Sequence, residues 1–334
     1  MTEEKNISLE KMNSFGVIHR AKKLISFENK DEVIRYLKNN KSEIDDILIL
    51  GEGSNTLFTK DYNGIIFQSN IKGIEIIMED NESITLKVGS GENWDDFVDF
   101  CVNSEYYGIE NLSLIPGSVG AAPIQNIGAY GVEINDYVVR VSGVDLSTNT
   151  LVEFSNKDCE FSYRDSVFKK KLRNKFFITS VEFKLYKKLP FNLSYSDLEK
   201  LNTSELTISK LREEIIKIRT RKLPDPKSKG NAGSFFKNPE IDENKLKNLI
   251  SRHKDFKYFK IKDKKYKVPA AWLIEKSGWK GYNDGFVGVF EHHALVLVNH
   301  KSEDGNDIHI LSKSIKDDVR KKFDIILEEE VNII

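Results

Sequence analysis

Residues 111–132 read NLSLIPGSVGAAPIQNIGAYGV, and none of them is charged. Charged residues make up 31% of the chain, so a stretch of this length would ordinarily contain about seven. Glycine and alanine recur along it, which lets backbone N–H and C=O groups approach a large flat ligand closely. We interpret the segment as the lining of an aromatic ring system; the alternative is a glycine-rich crossover inside the core.

The stretch DILIL (46–50) predicts a buried strand that leads into a second glycine turn, GEGSN (51–55). A Rossmann loop needs a third glycine where Thr56 stands, followed by a long helix, whereas a strand-like TLF (56–58) follows here. No Walker A sequence occurs either. Backbone N–H groups of the turn can cradle phosphate, although an ordinary tight turn is the simpler interpretation of these residues alone.

Composition limits the class of protein. A chain of 334 residues predicts two or three domains, and 51 basic against 52 acidic residues argue against a nucleic-acid binder. Cys101 and Cys159 have no metal-site or disulfide spacing, so we expect structural thiols in a reduced, cytoplasmic protein. No apolar run approaches the roughly 20 residues that span a bilayer, and the N-terminus does not resemble a signal peptide.

Hydrophobic periodicity predicts alternating helices and strands, with two adjacent strands within 285–298 joined at Glu291-His292-His293. Two neighbouring histidines without further ligands make a poor zinc site, so no metal is expected. Helices are expected over 31–39, from 94 to about 104, over 208–221, and in a last segment carrying Ile315, Val319, Phe323 and Ile326. Further strands are expected over 64–68, 73–78, 83–88, 138–145, 176–185 and 330–334.

Four separated motifs are specific enough to identify a family. They are LGEGSN (50–55), GIENLSLIPGSVGAAPIQNIGAYGVE (108–133), YRDSVFK (163–169) and GNAGSFFKNP (230–239). Two more segments support them in the expected order, PAAWLIEKSGWKG (269–281) and LEEEVNII (327–334). The chain resembles the UDP-N-acetylenolpyruvoylglucosamine reductases over most of its length.

The resemblance implies an α+β chain. It combines a two-subdomain FAD-binding fold of the vanillyl-alcohol-oxidase/PCMH type with a smaller α+β substrate-binding domain. The implied boundaries are 1–72 for FAD-binding subdomain 1, to which the C-terminal strand 328–334 belongs, 73–223 for subdomain 2, and 224–327 for the substrate-binding domain.

The implied reaction reduces UDP-N-acetylenolpyruvoylglucosamine to UDP-N-acetylmuramate, a step of peptidoglycan precursor synthesis. FAD is implied as a non-covalent cofactor and NADPH as the co-substrate; selection of NADPH over NADH is inherited from the resemblance. The expected partners are therefore small molecules, the UDP-sugar and NADPH. We expect a cytoplasmic monomer that binds neither nucleic acid nor a membrane.

Three residues match the catalytic positions of the family. Hydride addition to an enol ether leaves negative charge on the neighbouring carbon and its carboxylate. Arg164 matches the arginine that binds this carboxylate, Ser234 the proton donor, and Glu330 the third catalytic position, where it would share a proton with the carboxylate. Outside the motifs, these residues would suggest a surface ion pair, a turn hydroxyl and a solvated terminus. We expect the three groups to converge at the reactive edge of the flavin.

The resemblance also assigns binding residues. For the substrate they are Tyr195, on a clamping loop, and Lys222 and Asn238, which contact the diphosphate; Arg219 is a weaker candidate for flavin or substrate. The roles of His292 and His293 stay open. For FAD they are Gly51, Gly53, Ser54, Asn55, Pro116, Gly117, Gly120, Ala121, Gln125, Asn126, Gly128, Ala129 and Tyr130.

Two other functions remain alternatives at this stage. One is a different flavoenzyme of the same fold, although such enzymes often attach FAD covalently through His or Cys. Between residues 50 and 135 the only such residue is Cys101, inside a predicted helix. The other is a catalytically idle nucleotide-binding or scaffold protein, which would not show a yellow flavin that bleaches with NADPH.

Overall fold

The computed structural model describes residues 1–40, 46–261 and 264–334, which fall into two compact units. The first unit comprises Met1–Ile7, Ala21–Glu52 and Asn63–Arg219. The second comprises Ser8–Arg20, Gly53–Tyr62 and Thr220–Ile334. Both contain helices and strands, as expected for an α+β chain.

Six α-helices and eighteen β-strands lie within the described ranges. The helices are α1 Lys30–Asn39, α2 Trp94–Asn103, α3 Ile208–Lys222, α4 Glu243–Arg252, α5 Ala270–Lys276 and α6 Gly305–Phe323. The strands are β1 Thr2–Ser8, β2 Arg20–Phe27, β3 Ile47–Ile49, β4 Thr56–Leu57, β5 Tyr62–Ser69, β6 Ile74–Glu79, β7 Ser83–Gly89, β8 Gly128–Ala129, β9 Val132–Glu133, β10 Val138–Asp145, β11 Thr150–Ser155, β12 Phe176–Tyr186, β13 Glu240–Asp242, β14 Phe259–Lys260, β15 Lys265–Lys267, β16 Val287–Val289, β17 Leu297–Asn299 and β18 Asn332–Ile333.

The larger sheet of the first unit has the order β11-β10-β12-β7-β6, and its strands are antiparallel. Ile84, Leu86 and Val88 of β7 are completely buried, which confirms the predicted apolar face of that strand. Helix α2 packs Trp94 and Phe97 into the same core. Asn93 caps this helix as predicted, because its side chain accepts a hydrogen bond from Asp96 N.

A four-stranded sheet of the first unit has the order β1-β2-β5-β3, with β3 parallel to β5. Asn29 caps helix α1, and the buried face of the helix carries Val33, Tyr36 and Leu37. The ring of Tyr36 lies edge-on to that of Phe67, with centroids 5.6 Å apart, so aromatic packing joins helix and sheet.

The second unit contains three small sheets, β13-β15-β14, β16-β17 and β18-β4. The antiparallel pair β16-β17 confirms the two strands predicted within 285–298. The final strand β18 runs parallel to β4, and both Thr59 N and Thr59 Oγ1 donate to Ile334 O. The end of the chain is thus tied to the strand that follows the GEGSN turn.

Several elements differ from the sequence prediction. The charged start of the chain contains β1, which periodicity did not reveal because nearly all its side chains are exposed. Strand β2 also escaped prediction because its last four residues are buried on both faces, so no alternation shows. The placement of Ile326 on the last helix was wrong. Helix α6 ends at Phe323, where Asp324 adopts a left-handed backbone, and Ile326 is 64% exposed.

Replacing Gly53 with alanine should destabilise the protein far more than the same change at Gly16. Both glycines have left-handed backbone, with φ of +69° and +67°, but a Cβ at Gly53 would lie 1.8 Å from Met12 O while one at Gly16 meets no atom within 4 Å. Gly16→Ala should cost about 1 kcal/mol from backbone strain alone. Gly53→Ala should cost about 3 kcal/mol more from overpacking. Urea unfolding of both variants measures the difference, and equal losses would contradict it.

Candidate active site

The uncharged segment is bound by backbone hydrogen bonds to the connection between β7 and α2. Trp94 N donates to Gly117 O at 2.8 Å, and Val119 N donates to Glu92 O at 2.8 Å. Gly120 N donates to Ser90 O at 2.9 Å. The stretch 117–120, which contains two predicted FAD contacts, is therefore built onto the start of a helix whose own position is fixed by the core.

The first glycine of the GEGSN turn lies beside this stretch. A Cβ on Gly51 would lie 3.0 Å from Ser118 Oγ and 3.4 Å from Ala121 Cβ, so a larger residue would push against the segment. Asn93 Nδ2 donates to Glu52 Oε1 at 2.9 Å, which ties the turn to the helix cap. The structure brings Gly51 and Ala121, two predicted FAD contacts, together within the first unit.

The rest of the turn, Gly53 to Asn55, belongs to the second unit. Ser14 Oγ donates to Ser54 O at 3.1 Å. Asn55 Nδ2 donates to Glu330 O at 3.2 Å, and Asn332 N donates to Asn55 O at 3.0 Å. These residues thus contact the C-terminal segment that carries a predicted catalytic acid.

Asn126 uses its carboxamide within the protein. The residue is 1% exposed and has left-handed backbone, with φ of +45°. Its Nδ2 donates to Glu133 Oε2 at 2.8 Å and to Ser162 O at 3.2 Å, while its Oδ1 accepts from Asn135 N at 3.1 Å. Both ends of the amide therefore shape the loop, and its predicted contact with FAD stays a prediction. The neighbouring Gln125 is only partly buried.

Arg164 is oriented by the uncharged segment. Its Nη2 donates to Gly128 O at 2.6 Å, and its guanidinium lies 5.3 Å from the ring centroid of Tyr163. The backbone of Arg164 is left-handed, with φ of +54°. Its sequence neighbour Asp165 forms an ion pair with Lys170. The neighbouring Arg164 and Asp165 therefore do not act as the surface ion pair that the sequence alone suggested. Instead, Arg164 is held against the uncharged segment.

Tyr130, Tyr195 and Arg219 form a cluster in the first unit. The rings of Tyr130 and Tyr195 meet edge to face, with centroids 5.0 Å apart, and Tyr195 remains 40% exposed. The phenol of Tyr130 hydrogen-bonds to Arg219, but burial outweighs that charge and raises the pKa of Tyr130 to about 12. Burial disfavours the charged form of Arg219 too and therefore lowers the pKa of its guanidinium. The Nε of this residue has no hydrogen-bond partner within the described residues.

Backbone pairing brings Ser234 and Glu330 onto neighbouring segments of the second unit. Glu330 N donates to Phe235 O at 2.8 Å, next to Ser234. Ser234 is partly buried and pairs through its backbone with Val296. The acid beside Glu330 is engaged elsewhere, because Glu329 Oε1 lies 2.7 Å from Lys316 Nζ.

The predicted diphosphate contacts also lie in the second unit. Asn238 Oδ1 accepts from Ala270 N, the first residue of α5, at 2.9 Å, so this amide oxygen stabilises a helix start. Lys222 ends α3, and its charge is felt at His293. Burial lowers the pKa of His293, and the charges of Lys222 and Lys280 lower it further. His292 is exposed.

Comparison with known proteins identifies the chain. The family model "UDP-N-acetylenolpyruvoylglucosamine reductase, C-terminal domain" matches residues 225–334, and an FAD binding domain model matches residues 21–155. A reductase of that name from Flavobacterium johnsoniae is 41% identical, with both chains covered in full. The one from Escherichia coli O157:H7 is 40% identical, with 98% of this chain and 96% of that protein covered.

The chain belongs to the UDP-N-acetylenolpyruvoylglucosamine reductase family. It is an FAD-dependent oxidoreductase. The crystal structure of a UDP-N-acetylenolpyruvylglucosamine reductase from Thermus caldophilus matches with a TM-score of 0.70 at 20% identity, covering 100% of this chain and 99% of that one. Together these matches confirm the predicted fold class.

The residues present in this reductase fit FAD. The segment 111–132 offers backbone groups without a charged side chain. The buried polar atoms of the first unit without a hydrogen-bond partner among the described residues include Arg219 Nε and Asn111 Oδ1, and these two suit a polar cofactor. Cys101 does not suit covalent attachment, because it is completely buried in α2 and burial raises the pKa of its thiol well above the usual value.

In residues 1–40, 46–261 and 264–334, no helix is long and apolar enough to cross a membrane. The same ranges contain no group of three or more His, Cys, Asp or Glu side chains arranged to hold a metal ion.

Sequence reasoning missed Asn111, at the start of the uncharged segment. This residue is completely buried, and its Nδ2 donates to Tyr130 O at 2.9 Å and to Asn192 O at 2.8 Å. Asn192 in turn donates to Gly131 O at 2.9 Å. The loop that carries Tyr195 is thus anchored to the uncharged segment 111–132. The signal available in the sequence was an amide at the start of an uncharged run.

Replacing His293 with glutamine should reduce the loss of stability on acidification. The lowered pKa means that folding disfavours the protonated ring, so the folded state is fully stable above the unfolded pKa of about 6.5 and loses stability as pH falls below it. Urea unfolding at pH 7.5 and 5.5 should show a smaller decrease for His293→Gln than for the parent. The exposed neighbour provides the control, His292→Gln. An equal decrease in all three proteins would refute the role of His293.

Proposed function

We propose that this enzyme uses NADPH to reduce UDP-N-acetylenolpyruvoylglucosamine to UDP-N-acetylmuramate, for peptidoglycan precursor synthesis. One observation carries the proposal: the hydrogen bond from Glu330 N to Phe235 O. This bond sets the near-terminal acid beside the Ser234 loop, in a chain that matches relatives of this activity along its whole length. The pairing supports a joint role for two residues that lie 96 positions apart in sequence.

FAD, held by the glycine turn at 51–55 and the stretch 116–130, would supply the redox chemistry as a source of hydride for the methylene carbon of the enolpyruvyl group. Binding, charge stabilisation and proton delivery must come from residues of the protein. The neighbouring carbon and its carboxylate then carry the additional negative charge, which needs electrostatic stabilisation and a proton.

Arg164 is proposed to bind the substrate carboxylate. Its guanidinium can donate two parallel hydrogen bonds to a carboxylate, which favours the charge-delocalised form of the intermediate. The bond from its Nη2 to Gly128 O already fixes the guanidinium in the protein, so little side-chain freedom is lost when substrate binds.

Ser234 is proposed to protonate the carbon next to the carboxylate. The hydroxyl is a weak acid, but the carbanion-like intermediate is strongly basic, and a held donor gains a large advantage from proximity. Two backbone features support the assignment: Gly233 has left-handed backbone, with φ of +67°, and the Ser234 backbone pairs with Val296. Glu330 is proposed to share a proton with the substrate carboxylate, because two bare carboxylates repel each other.

Binding roles follow the same proposal. Tyr195 would cover the sugar nucleotide, and Lys222 and Asn238 would contact its diphosphate. The glycine turn at 51–55 and the stretch 116–130 would hold FAD. The domain boundaries near residues 72, 223 and 327, the cytoplasmic location and the monomeric state also remain proposals.

Replacing Ser234 with alanine should separate the two half-reactions. Under anaerobic conditions the variant should still be reduced by NADPH at the parent rate, because the flavin does not need the serine. Its reoxidation by the enolpyruvyl substrate should slow by roughly 100-fold or more, the usual contribution of a positioned acid. Stopped-flow absorbance of the flavin measures both steps.

The matched control is Ser228→Ala. The hydroxyl of Ser228 donates to Asp225 O at 3.0 Å in the same unit and has no proposed role in the reaction. It should leave both rates unchanged. Reoxidation of Ser234→Ala at the parent rate would contradict the proton-donor role, while failure of the parent to be reoxidised by this substrate would contradict the proposed reaction itself.

A further inference from the structure

The start of helix α2 also makes a side-chain contact with the uncharged segment 111–132. A carboxylate oxygen of Asp95, Oδ1, accepts a hydrogen bond from Leu114 N. Leu114 has left-handed backbone, with φ of +58°, and its side chain is 39% exposed. A bulky side chain rarely adopts this conformation unless its surroundings hold it there. Leu114 lies two residues before Pro116, the first residue of this segment predicted to bind FAD.

Arg212 of α3 fixes the carboxylate of Asp95. Its Nη1 and Nη2 donate to the two oxygens of Asp95 at 2.7 and 3.1 Å, and its Nε donates to Asp99 at 3.1 Å. Arg212 is only 9% exposed, so its charge is largely withdrawn from water and depends on these acids. The bidentate pair fixes the orientation of the Asp95 carboxylate. In this orientation one of its oxygens also accepts a hydrogen bond from Leu114 N.

The same helix extends from Arg212 to the tyrosine cluster. Arg219 lies seven residues, about two turns, further along α3 and hydrogen-bonds to the phenol of Tyr130. The charge of Asp95 is felt at Arg219 as well. One ion pair therefore joins the backbone before Pro116 to the helix that supports Tyr130.

We propose that Arg212 and Asp95 are positioning residues for FAD: their ion pair holds Leu114 in its left-handed conformation and so presents residues 114–121 in the shape that binds the cofactor. The inference rests on the proposed contact of this stretch with FAD. Neither side chain needs to touch the cofactor. Their effect passes through the backbone of Leu114.

Asp95→Ala tests the proposal, because it removes the acceptor of Leu114 N and leaves Arg212 without its main partner. The dissociation constant of FAD should rise roughly tenfold or more, as expected for loss of a charged hydrogen bond. Fluorescence titration of the apoprotein with FAD measures it, and the visible spectrum of bound flavin reports whether its surroundings have changed. Asp96→Ala is the matched control, because it removes an exposed acid from the same first turn.

The decisive comparison adds Leu114→Asn. Asparagine adopts left-handed backbone readily, so the double variant Asp95→Ala/Leu114→Asn should recover most of the FAD affinity. Its resistance to urea should stay as low as that of Asp95→Ala, because the buried arginine still lacks its two hydrogen bonds to Asp95. A merely structural ion pair predicts the opposite pattern, in which affinity and stability fall together and Leu114→Asn restores neither.

Either of two results would overturn the proposal: parent-like FAD affinity in Asp95→Ala, or no recovery of affinity in the double variant. Should Asp95→Ala fail to fold, Arg212→Gln allows the same comparison with and without Leu114→Asn. It frees the carboxylate of Asp95 without deleting the acceptor of Leu114 N. A smaller loss of FAD affinity that Leu114→Asn recovers would support the proposal; parent-like affinity or a loss without recovery would refute it.

Discussion

Backbone hydrogen bonding from the β7–α2 connection is the constraint on which the uncharged segment 111–132 depends. A stretch of 22 uncharged residues rich in glycine and alanine has few side chains with which to hold its own shape. Its buried N–H and C=O groups must nevertheless find partners. Ser90, Glu92 and Trp94 provide them for residues 117–120 through their own backbone atoms. The segment can therefore consist largely of small side chains, which the approach to a flat cofactor requires, and still hold one conformation.

The second unit positions its candidate catalytic groups by a similar principle. The C-terminal segment pairs with Phe235 through Glu330 and with β4 through β18. An acid close to the end of a chain would ordinarily be mobile. Here the last residues are tied to the structure on both sides, so the end of the chain can carry a group that must be placed accurately.

Sequence patterns predicted those helices and strands whose determining residues lie close together in the sequence. Helix α2 was predicted with its cap because Asn93, the acids after it and the apolar face all lie within one short window. Strand β1 was missed because an exposed edge strand has no buried face to alternate with. The motifs identified candidate site residues, but they did not show which residues these contact in the folded chain. Arg212 lies 117 positions after Asp95, and no local pattern connects them. Nor did any local pattern reveal the tertiary hydrogen bonds that engage the amide of Asn126.

We expect the uncharged segment 111–132 to be shaped by the protein before FAD binds. Hydrogen–deuterium exchange of the apoprotein, resolved to single amides, tests it most directly. The N–H groups of Leu114, Val119 and Gly120 should exchange as slowly as those inside β7, and FAD should change their rates little. If these amides exchange at the rate of exposed loops until FAD is added, the cofactor orders the segment and the claim of a preformed site is wrong.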